Sequence, residues 1–173
     1  MQEQQEFIDY IVGLAPEDET ALLVLQKPVI RNGVHITYLD GELAYTFPSF
    51  MPDHPRKEGE SWYLNTGCYI PARFNNGRPS ASTANCTHVL AMMLDDVGTK
   101  SKVPDLPPTW IMETSEGSFQ WGYGFTDQPS KGEFSAAITA IAEAGYTDPG
   151  ATNPVRNFRI PGSVNLKPGR DLF

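Results

Sequence analysis

The chain alternates short apolar runs, which are typical of strands, with two stretches whose apolar residues recur at helical spacing. Its most apolar run covers residues 90–94, leads directly into the adjacent carboxylates of Asp95 and Asp96, and is closed by Gly98. A run this short and this apolar predicts a strand buried on both faces. Two acids at the end of such a strand can present oxygen ligands to a divalent cation, but a strand that ends in a solvated polar turn gives the same pattern.

The other elements follow from the same periodicities and from the turn residues between them. Helices are predicted over residues 6–14, which Gly13 and Pro16 end, and over residues 134–144, which Gly145 caps. Strands are predicted over residues 21–25 (where a short helix is the alternative), 34–39, 62–70, 109–115 and 121–125, with loops over 48–60 and 71–85. Strands with interspersed helices indicate an α+β fold.

Length and composition are those of one globular domain covering residues 1–173. With 40% hydrophobic and 20% charged residues, the chain can bury a sizeable core. No apolar stretch approaches the ~20 residues that cross a bilayer, and the N-terminus lacks the basic start and apolar core of a signal peptide. We therefore expect a cytoplasmic protein with no membrane partner. Cys68 and Cys86 form no Cys-x-x-Cys motif, and the scattered histidines share no ligand spacing.

Charge is distributed unevenly along the chain. The net charge of −8 argues against a protein whose whole surface binds nucleic acid. Residues 1–20 contain acids and no base, whereas residues 156–170 contain bases and no acid. An acidic body with a basic C-terminal segment indicates a local anion site rather than a long binding groove.

Three polar segments, taken in order, resemble the archaeo-eukaryotic primase superfamily, and specifically the primase-polymerase domains of phage and plasmid replication proteins, including RepB-type primases. They are residues 94–100 (Leu-Asp-Asp-Val-Gly-Thr-Lys), residues 113–120 (Glu-Thr-Ser-Glu-Gly-Ser-Phe-Gln), and residues 148–151 (Asp-Pro-Gly-Ala) followed by 156–167. The resemblance implies an RRM-like catalytic core with a mixed or antiparallel sheet and flanking helices. It also implies a nucleotidyltransferase that primes and extends DNA on a template.

By this resemblance Asp95, Asp96 and Asp148 hold two Mg²⁺ or Mn²⁺ ions. Many relatives space the first two acids as Asp-x-Asp, which puts both on one face of a strand, whereas adjacent acids in a regular strand point to opposite faces. Either the strand becomes irregular before Gly98, or only one of the two acids is a ligand. In the second case Glu113 is a candidate for a further acid.

The resemblance also assigns residues that bind the nucleotide. Gln120 stands where the family has a histidine; its amide can donate to a phosphate but cannot carry charge or shuttle a proton. The full set of nucleotide-binding candidates is Ser115, Gln120, Arg156, Arg159, Asn165 and Lys167. Arg73 and Arg78, on the loop 71–85, are candidates for template contact, although such side chains are often only solvated.

The partners implied are nucleoside triphosphates and a single-stranded DNA template. Relatives often carry a helicase or priming region downstream, so we expect a fragment of a longer replication protein, in the host cytoplasm if phage-encoded. Two alternatives remain: a nucleic-acid-binding module on the same fold that has lost synthesis, which the doubled aspartate and missing histidine favour, and a metal-dependent nuclease. A two-histidine endonuclease is disfavoured, because the sequence contains no His-x-His.

Overall fold

Eight strands in two antiparallel sheets, with two helices packed on them, make up the parts of the chain that the computed structural model describes, residues 2–31, 34–46, 61–70 and 81–163. In chain order the elements are α1 (Gln2–Val12), β1 (Thr20–Arg31), β2 (Val34–Thr46), β3 (Ser61–Tyr69), β4 (Cys86–Val89), β5 (Ala91–Val97), β6 (Trp110–Ser115), β7 (Ser118–Gly124), α2 (Lys131–Glu143), a 3-10 turn (Pro149–Ala151) and β8 (Asn157–Arg159).

The first sheet has the strand order β2-β1-β3-β4, and β8 also pairs with β3. Strand β1 occupies one edge of β3, so β4 and β8 share the other edge, with β8 opposite the stretch from Tyr63 to Asn65. The second sheet has the order β5-β7-β6. The short strand β8 therefore brings the first residues of the basic C-terminal segment to β3.

The chain crosses from the first sheet to the second at Leu90. Its N–H donates to the carbonyl of Thr66 in β3 at 2.8 Å, and its own carbonyl accepts from the N–H of Phe125, just after β7, at 2.9 Å. The apolar run that the sequence presents as one strand therefore serves two sheets. Strand β4 ends before Leu90 and β5 begins after it.

Each helix covers a different apolar cluster. In α1, Ile8 and Ile11 are buried in a cluster that includes Phe158 of β8. In α2, Phe134 and Ile138 belong to a second cluster, which includes residues of β4 and β5. Because helical residues three or four apart share one face, each helix needs only a narrow apolar stripe to cover its sheet.

Strand β5 contacts both clusters. Met93 belongs to the first cluster, whereas Leu94 and Val97 belong to the second, and all three are at most 3% exposed. The prediction of a strand buried on both faces is thus confirmed for these residues. The carboxylates of Asp95 and Asp96 interrupt the buried pattern and are half-buried.

The α+β fold is confirmed, and the element boundaries shift for local reasons. Helix α2 begins before the predicted residue 134, because the side chain of Ser130 caps the N–H of Glu133 and Glu133 bonds back to the N–H of Ser130. Strand β7 begins before the predicted residue 121, because Gly117, at φ 68°, closes a tight turn after β6. No helix of the described ranges is long and apolar enough to cross a membrane.

Candidate active site

A polar cleft of about 360 Å³ opens between the two sheets. Residues of both sheets and of the segments between them line it: Tyr63, Asp95, Asp96, Lys100, Thr114, Ser115, Gln120, Asp148, Gly150, Arg156, Asn157 and Arg159. The three sequence segments that resemble primase motifs all reach this one cleft.

The two adjacent aspartates face the same cleft because β5 is irregular where they lie. Leu94 pairs with Trp121 of β7 and Val97 pairs with Phe119, so β5 holds one residue more than its partner between these pairs. Asp96 adopts a left-handed backbone with φ 57°. A β-bulge of this kind re-aims side chains that would otherwise alternate. Of the two sequence-based alternatives, the structure has the irregular strand.

Asp95 is held by one cation and by neutral donors. The Nη2 of Arg156 donates to its Oδ2 at 2.6 Å, and the Nε2 of Gln120 donates to its Oδ1 at 3.2 Å. Its backbone N–H donates to the hydroxyl of Thr147 at 2.9 Å. The last bond fixes the chain before Asp148 beside the end of β5.

Asp96 has a similar arrangement with a different cation. The ammonium of Lys100 donates to its Oδ2 at 2.6 Å, and the hydroxyl of Ser118 donates to its Oδ1 at 3.1 Å. The hydrogen bond to Asp96, followed by the charges of Asp96, Asp148 and Asp95, raises the pKa of Lys100. Lys100 therefore carries its positive charge at neutral pH and lies within the field of all three aspartates.

Asp148 lines the cleft and also shapes its own backbone. Its Oδ1 accepts from the N–H of Gly150 at 2.6 Å, and it is the N-cap of the 3-10 turn. A carboxylate or amide suits this position, because either offers an oxygen to the free N–H groups of the turn.

Gln120 is buried at the base of the cleft, with 8% of its surface exposed. Its Nε2 is used by Asp95, and its Oε1 has no hydrogen-bond partner among the described residues. An unpaired buried acceptor is costly, by roughly 1–3 kcal/mol, unless a ligand or water pairs with it. One N–H of this amide faces Asp95 and the amide has a second, so the sequence-based expectation that Gln120 donates to a phosphate stays a prediction.

The two arginines reach the cleft from β8 and the residue before it. Arg159 is buried, and its Nη1 donates to the carbonyl of Thr114 at 2.7 Å. Arg156 is fixed through its backbone, since Thr66 of β3 donates its N–H to the Arg156 carbonyl at 2.8 Å and accepts from the Arg156 N–H through its hydroxyl at 3.1 Å. Asn65 similarly donates to the side chain of Asn157 at 2.7 Å.

The remaining sequence candidates are placed as follows. Ser115 lines the cleft at the end of β6. Glu113 does not line it: this residue is exposed on the other face of β6, and its Oε1 accepts from the N–H of Gly117 at 2.8 Å. A further four candidates lie outside the described residues: Arg73, Arg78, Asn165 and Lys167.

The donor set fits a hard divalent cation. Carboxylate oxygens from Asp95 and Asp96, with the unpaired amide oxygen of Gln120 beside them, are ligands that Mg²⁺ and Mn²⁺ accept. Within the described part of the chain, however, no three Asp, Glu, His or Cys side chains stand close enough to hold one ion together. The metal site therefore stays a prediction that rests on the aspartate pair, with Asp148 in the same cleft.

Comparison with solved structures finds the AEP domain of the primase-polymerase of cyanophage S-2L, with a TM-score of 0.56 over 96% of this chain and 84% of that one. The chain has an archaeo-eukaryotic primase-like fold. At 16% identity, the likeness concerns the fold of this primase-like domain and leaves its chemistry to be argued from the cleft. No family model matches the sequence, and no curated protein matches it.

Sequence reasoning missed several residues in and around the cleft. Lys100 lies inside the first segment that carries the resemblance and has no role in the sequence-based assignment, although a lysine near two acids indicates charge complementarity. Ser118, whose hydroxyl donates to Asp96, has none either. Tyr63 and Asn157 reach the cleft only because β8 pairs with β3. No local pattern announces that pairing, since the two strands are far apart in the chain.

Proposed function

We propose that this domain is a DNA primase-polymerase of the phage or plasmid replication type. It transfers nucleotides from nucleoside triphosphates to a 3′-hydroxyl on a single-stranded DNA template, and it synthesises primers. The observation that carries the proposal is the meeting, in one cleft, of an acidic group from the first and third segments with two arginines that follow the third. The archaeo-eukaryotic primase-like fold supports it independently.

The cleft contains the two kinds of charged group that nucleotidyl transfer needs. Three acids, Asp95, Asp96 and Asp148, line the cleft, and Arg156 and Arg159 supply positive charge within it. Its volume of about 360 Å³ lies within the ~300–1,000 Å³ of small-ligand pockets. A triphosphate is a clustered polyanion, and a guanidinium fork binds it in two places at once.

Arg159 is the best-anchored phosphate ligand. Its burial and its bond to the Thr114 carbonyl hold the guanidinium in place before any ligand arrives, so less entropy is lost on binding. Ser115 is one residue from Thr114 and adds a hydroxyl donor. When bound, two Mg²⁺ or Mn²⁺ ions would activate the attacking 3′-hydroxyl and neutralise the leaving pyrophosphate.

The test is synthesis on single-stranded DNA with labelled nucleotides and Mn²⁺, with and without a primer, analysed on a denaturing gel. We expect labelled oligomers in both lanes. Asp148→Asn is the matched inactive variant, because the amide keeps the oxygen that caps Gly150 and loses only the charge. Full activity in this variant would defeat the assignment of Asp148.

One observation favours a second candidate, a DNA-binding module without synthesis. Both catalytic candidates at the end of β5 are already neutralised, Asp95 by Arg156 and Asp96 by Lys100. The same experiment separates the two functions: no product in either lane, together with intact DNA binding, identifies the module. Extension with a primer alone identifies a polymerase that does not initiate, and cleavage of DNA without nucleotides identifies a nuclease.

A further inference from the structure

We infer that Lys100 and Arg156 are exchangeable counter-ions of Asp96 and Asp95, so that a divalent cation and a polyphosphate bind this cleft cooperatively. Each amino-acid cation leaves its carboxylate when the divalent cation binds there, and each then pairs with phosphate. The inference rests on the proposed function in one respect, that these two carboxylates hold the cation. It adds a role for Lys100 and an order of dependence between the two ligands.

The ammonium of Lys100 can leave the carboxylate of Asp96 easily. Its Nζ lies 2.6 Å from Oδ2 of Asp96, yet 73% of its side chain is exposed, so only a flexible stem holds it there. The backbone beneath it is fixed, because the N–H groups of Thr99, Lys100 and Ser101 all donate to the carbonyl of Asp96 at 3.0–3.1 Å. The ammonium can therefore move between carboxylate and phosphate without any change of fold.

Arg156 is arranged in the same way on Asp95. Its Nη2 lies 2.6 Å from Oδ2, and its backbone is fixed to Thr66 through the two bonds described above. With 22% of the side chain exposed, it borders the cleft rather than the core. A guanidinium that turns from a carboxylate to a phosphate can form two parallel hydrogen bonds there.

A separate observation points to a cation as the missing ligand. Oε1 of Gln120 is buried, has no partner among the described residues, and belongs to the residue whose Nε2 contacts Asp95. A positive charge, or water bound to one, is what such an acceptor and the neighbouring carboxylates would share. The lysine and arginine neutralise the two acids in its absence but leave this oxygen unpaired.

The consequence is a reciprocal coupling. Without phosphate, the divalent cation must displace two amino-acid cations that then have no partner. With phosphate present, the displaced cations gain one, so each ligand raises the affinity of the other by the same factor. A lysine that bound only phosphate, or one that served only the fold, would produce no such coupling.

The experiment measures binding, not synthesis. Mn²⁺ alone is titrated into wild type, Lys100→Ala and Lys102→Ala, and the signal of free Mn²⁺ is followed by electron paramagnetic resonance. We expect Lys100→Ala to bind Mn²⁺ about two- to fivefold more tightly, the size of effect of one ion pair whose lysine is largely exposed. Lys102→Ala is the control for net charge, because its ammonium donates to the carbonyl of Ala144 at 2.7 Å, away from the aspartates.

The second arm uses inorganic triphosphate, measured by calorimetry with EDTA and then as its complex with excess Mn²⁺. Lys100→Ala should bind the Mn²⁺ complex about fivefold more weakly, and metal-free triphosphate almost as wild type does. Lys100→Arg should restore wild-type behaviour in both arms, and melting curves confirm that each variant is folded.

Opposite signs in the two arms would support the exchange. Unchanged or weaker Mn²⁺ affinity in Lys100→Ala, or equal changes in Lys102→Ala, would overturn it. These binding measurements need no template, so their failure is distinct from failure of the proposed function. If the two arms give opposite signs but the gel shows no product, synthesis alone is refuted. If the gel shows labelled oligomers but Lys100→Ala leaves the Mn²⁺ affinity unchanged, the exchange alone is refuted.

Discussion

Asp96 combines a charge with a backbone conformation that few residues adopt. Among the residues that the structure describes, Asp96 is the one non-glycine residue with a positive φ, at 57°. For most side chains the left-handed region costs roughly 1–2 kcal/mol, whereas Asn and Asp tolerate it because their short polar groups bond locally. Strain of this kind collects at functional sites, where surrounding contacts hold it in place.

Substitutions at Asp96 therefore separate charge from backbone conformation. Asp96→Asn keeps the left-handed preference and should change the free energy of unfolding by under ~1 kcal/mol, while Asp96→Val should lose roughly 2 kcal/mol more, because a branched Cβ is strained at positive φ. Both should lose synthesis, since neither carries a charge. Urea unfolding measures the first effect, and the gel measures the second.

If Asp96→Val proves as stable as Asp96→Asn, the bulge at the end of β5 does not exist in solution. In that case the two acids would alternate across the strand, and only one of them would face the cleft.

The sequence predicts which acids line the cleft better than it predicts their hydrogen-bond partners. The sequence indicates Asp95, Asp96 and Asp148 as candidates because residue type, order and spacing can be read from it directly. The contact between Gln120 and Asp95 could not be predicted, because it depends on how β7 lies beside β5. Side-chain partners are set by pairing between strands, and that information is not local.

The hairpin of β6 and β7 needs a residue without a side chain at one position. Trp110 of β6 pairs with Gly122 of β7, and its ring covers the glycine so closely that an added Cβ would lie 1.9 Å from a ring carbon. The same ring stacks on Phe158, at 6.2 Å between centroids, and meets Phe7 edge-on at 5.2 Å. One tryptophan thus joins the second sheet to β8 and α1.

We expect Gly122→Ala to lose at least ~2 kcal/mol of unfolding free energy, because Trp110 must leave its place among the other rings. Gly132→Ala is the matched control. It lies in the first turn of α2 with no atom closer than 3.9 Å to the new Cβ, and should be neutral or stabilising by up to ~1 kcal/mol. Similar losses in both variants would mean that the packing of Trp110 differs from that described.

Strand β3 positions the basic segment, so a change there should reach the cleft. The hydroxyl of Thr66 donates to the carbonyl of Arg156 at 3.0 Å and accepts from its N–H at 3.1 Å. Thr66→Val keeps the shape and removes these bonds, so we expect a loss of ~1–3 kcal/mol in stability. Binding of triphosphate should weaken as Arg156 loses its place. Unchanged calorimetric affinity in this variant would show that β3 does not position the arginine.

Sequence patterns predict the kinds of element well but do not predict where one sheet ends and the other begins. The run around residues 90–94 is continuous in hydrophobicity, yet its hydrogen-bond partners change at Leu90 from β3 to the end of β7. Hydrophobic periodicity records burial, and both sheets bury this stretch. Tertiary pairing alone divides it into β4 and β5.

The cleft exists because β8 returns to the first sheet while β5 ends in the second. Asp95 and Arg156 are joined across this boundary at 2.6 Å. The sequence places the acids and the bases in separate segments, and only the resemblance to a known family predicts that they meet. The fold confirms the architecture on which that expectation depended.

The junction of β3 and β4 buries three groups that can lose a proton. Cys68, Tyr69 and Cys86 are all at most 1% exposed, and both cysteines are free thiols. Burial raises the pKa of Cys86 from 9.0 to about 11. Burial likewise raises the pKa values of Cys68 and Tyr69. The folded protein therefore keeps three protons that the unfolded chain releases in alkaline solution.

This difference fixes the sign of the pH dependence. Below pH ~7.5 both states hold these protons, and the three groups do not affect the pH profile. As the pH rises through the ordinary thiol pKa of ~8.5, the unfolded chain binds fewer protons than the folded protein, so its free energy falls relative to the fold. We expect the melting temperature to fall progressively from pH 8.5 to 10.5. The double variant Cys68→Ala/Cys86→Ala retains only Tyr69 of the three groups, so its melting temperature should fall less steeply, whatever its value at pH 7. Equal slopes for the two proteins would place the alkaline sensitivity elsewhere, and would argue that the junction of β3 and β4 is open to water.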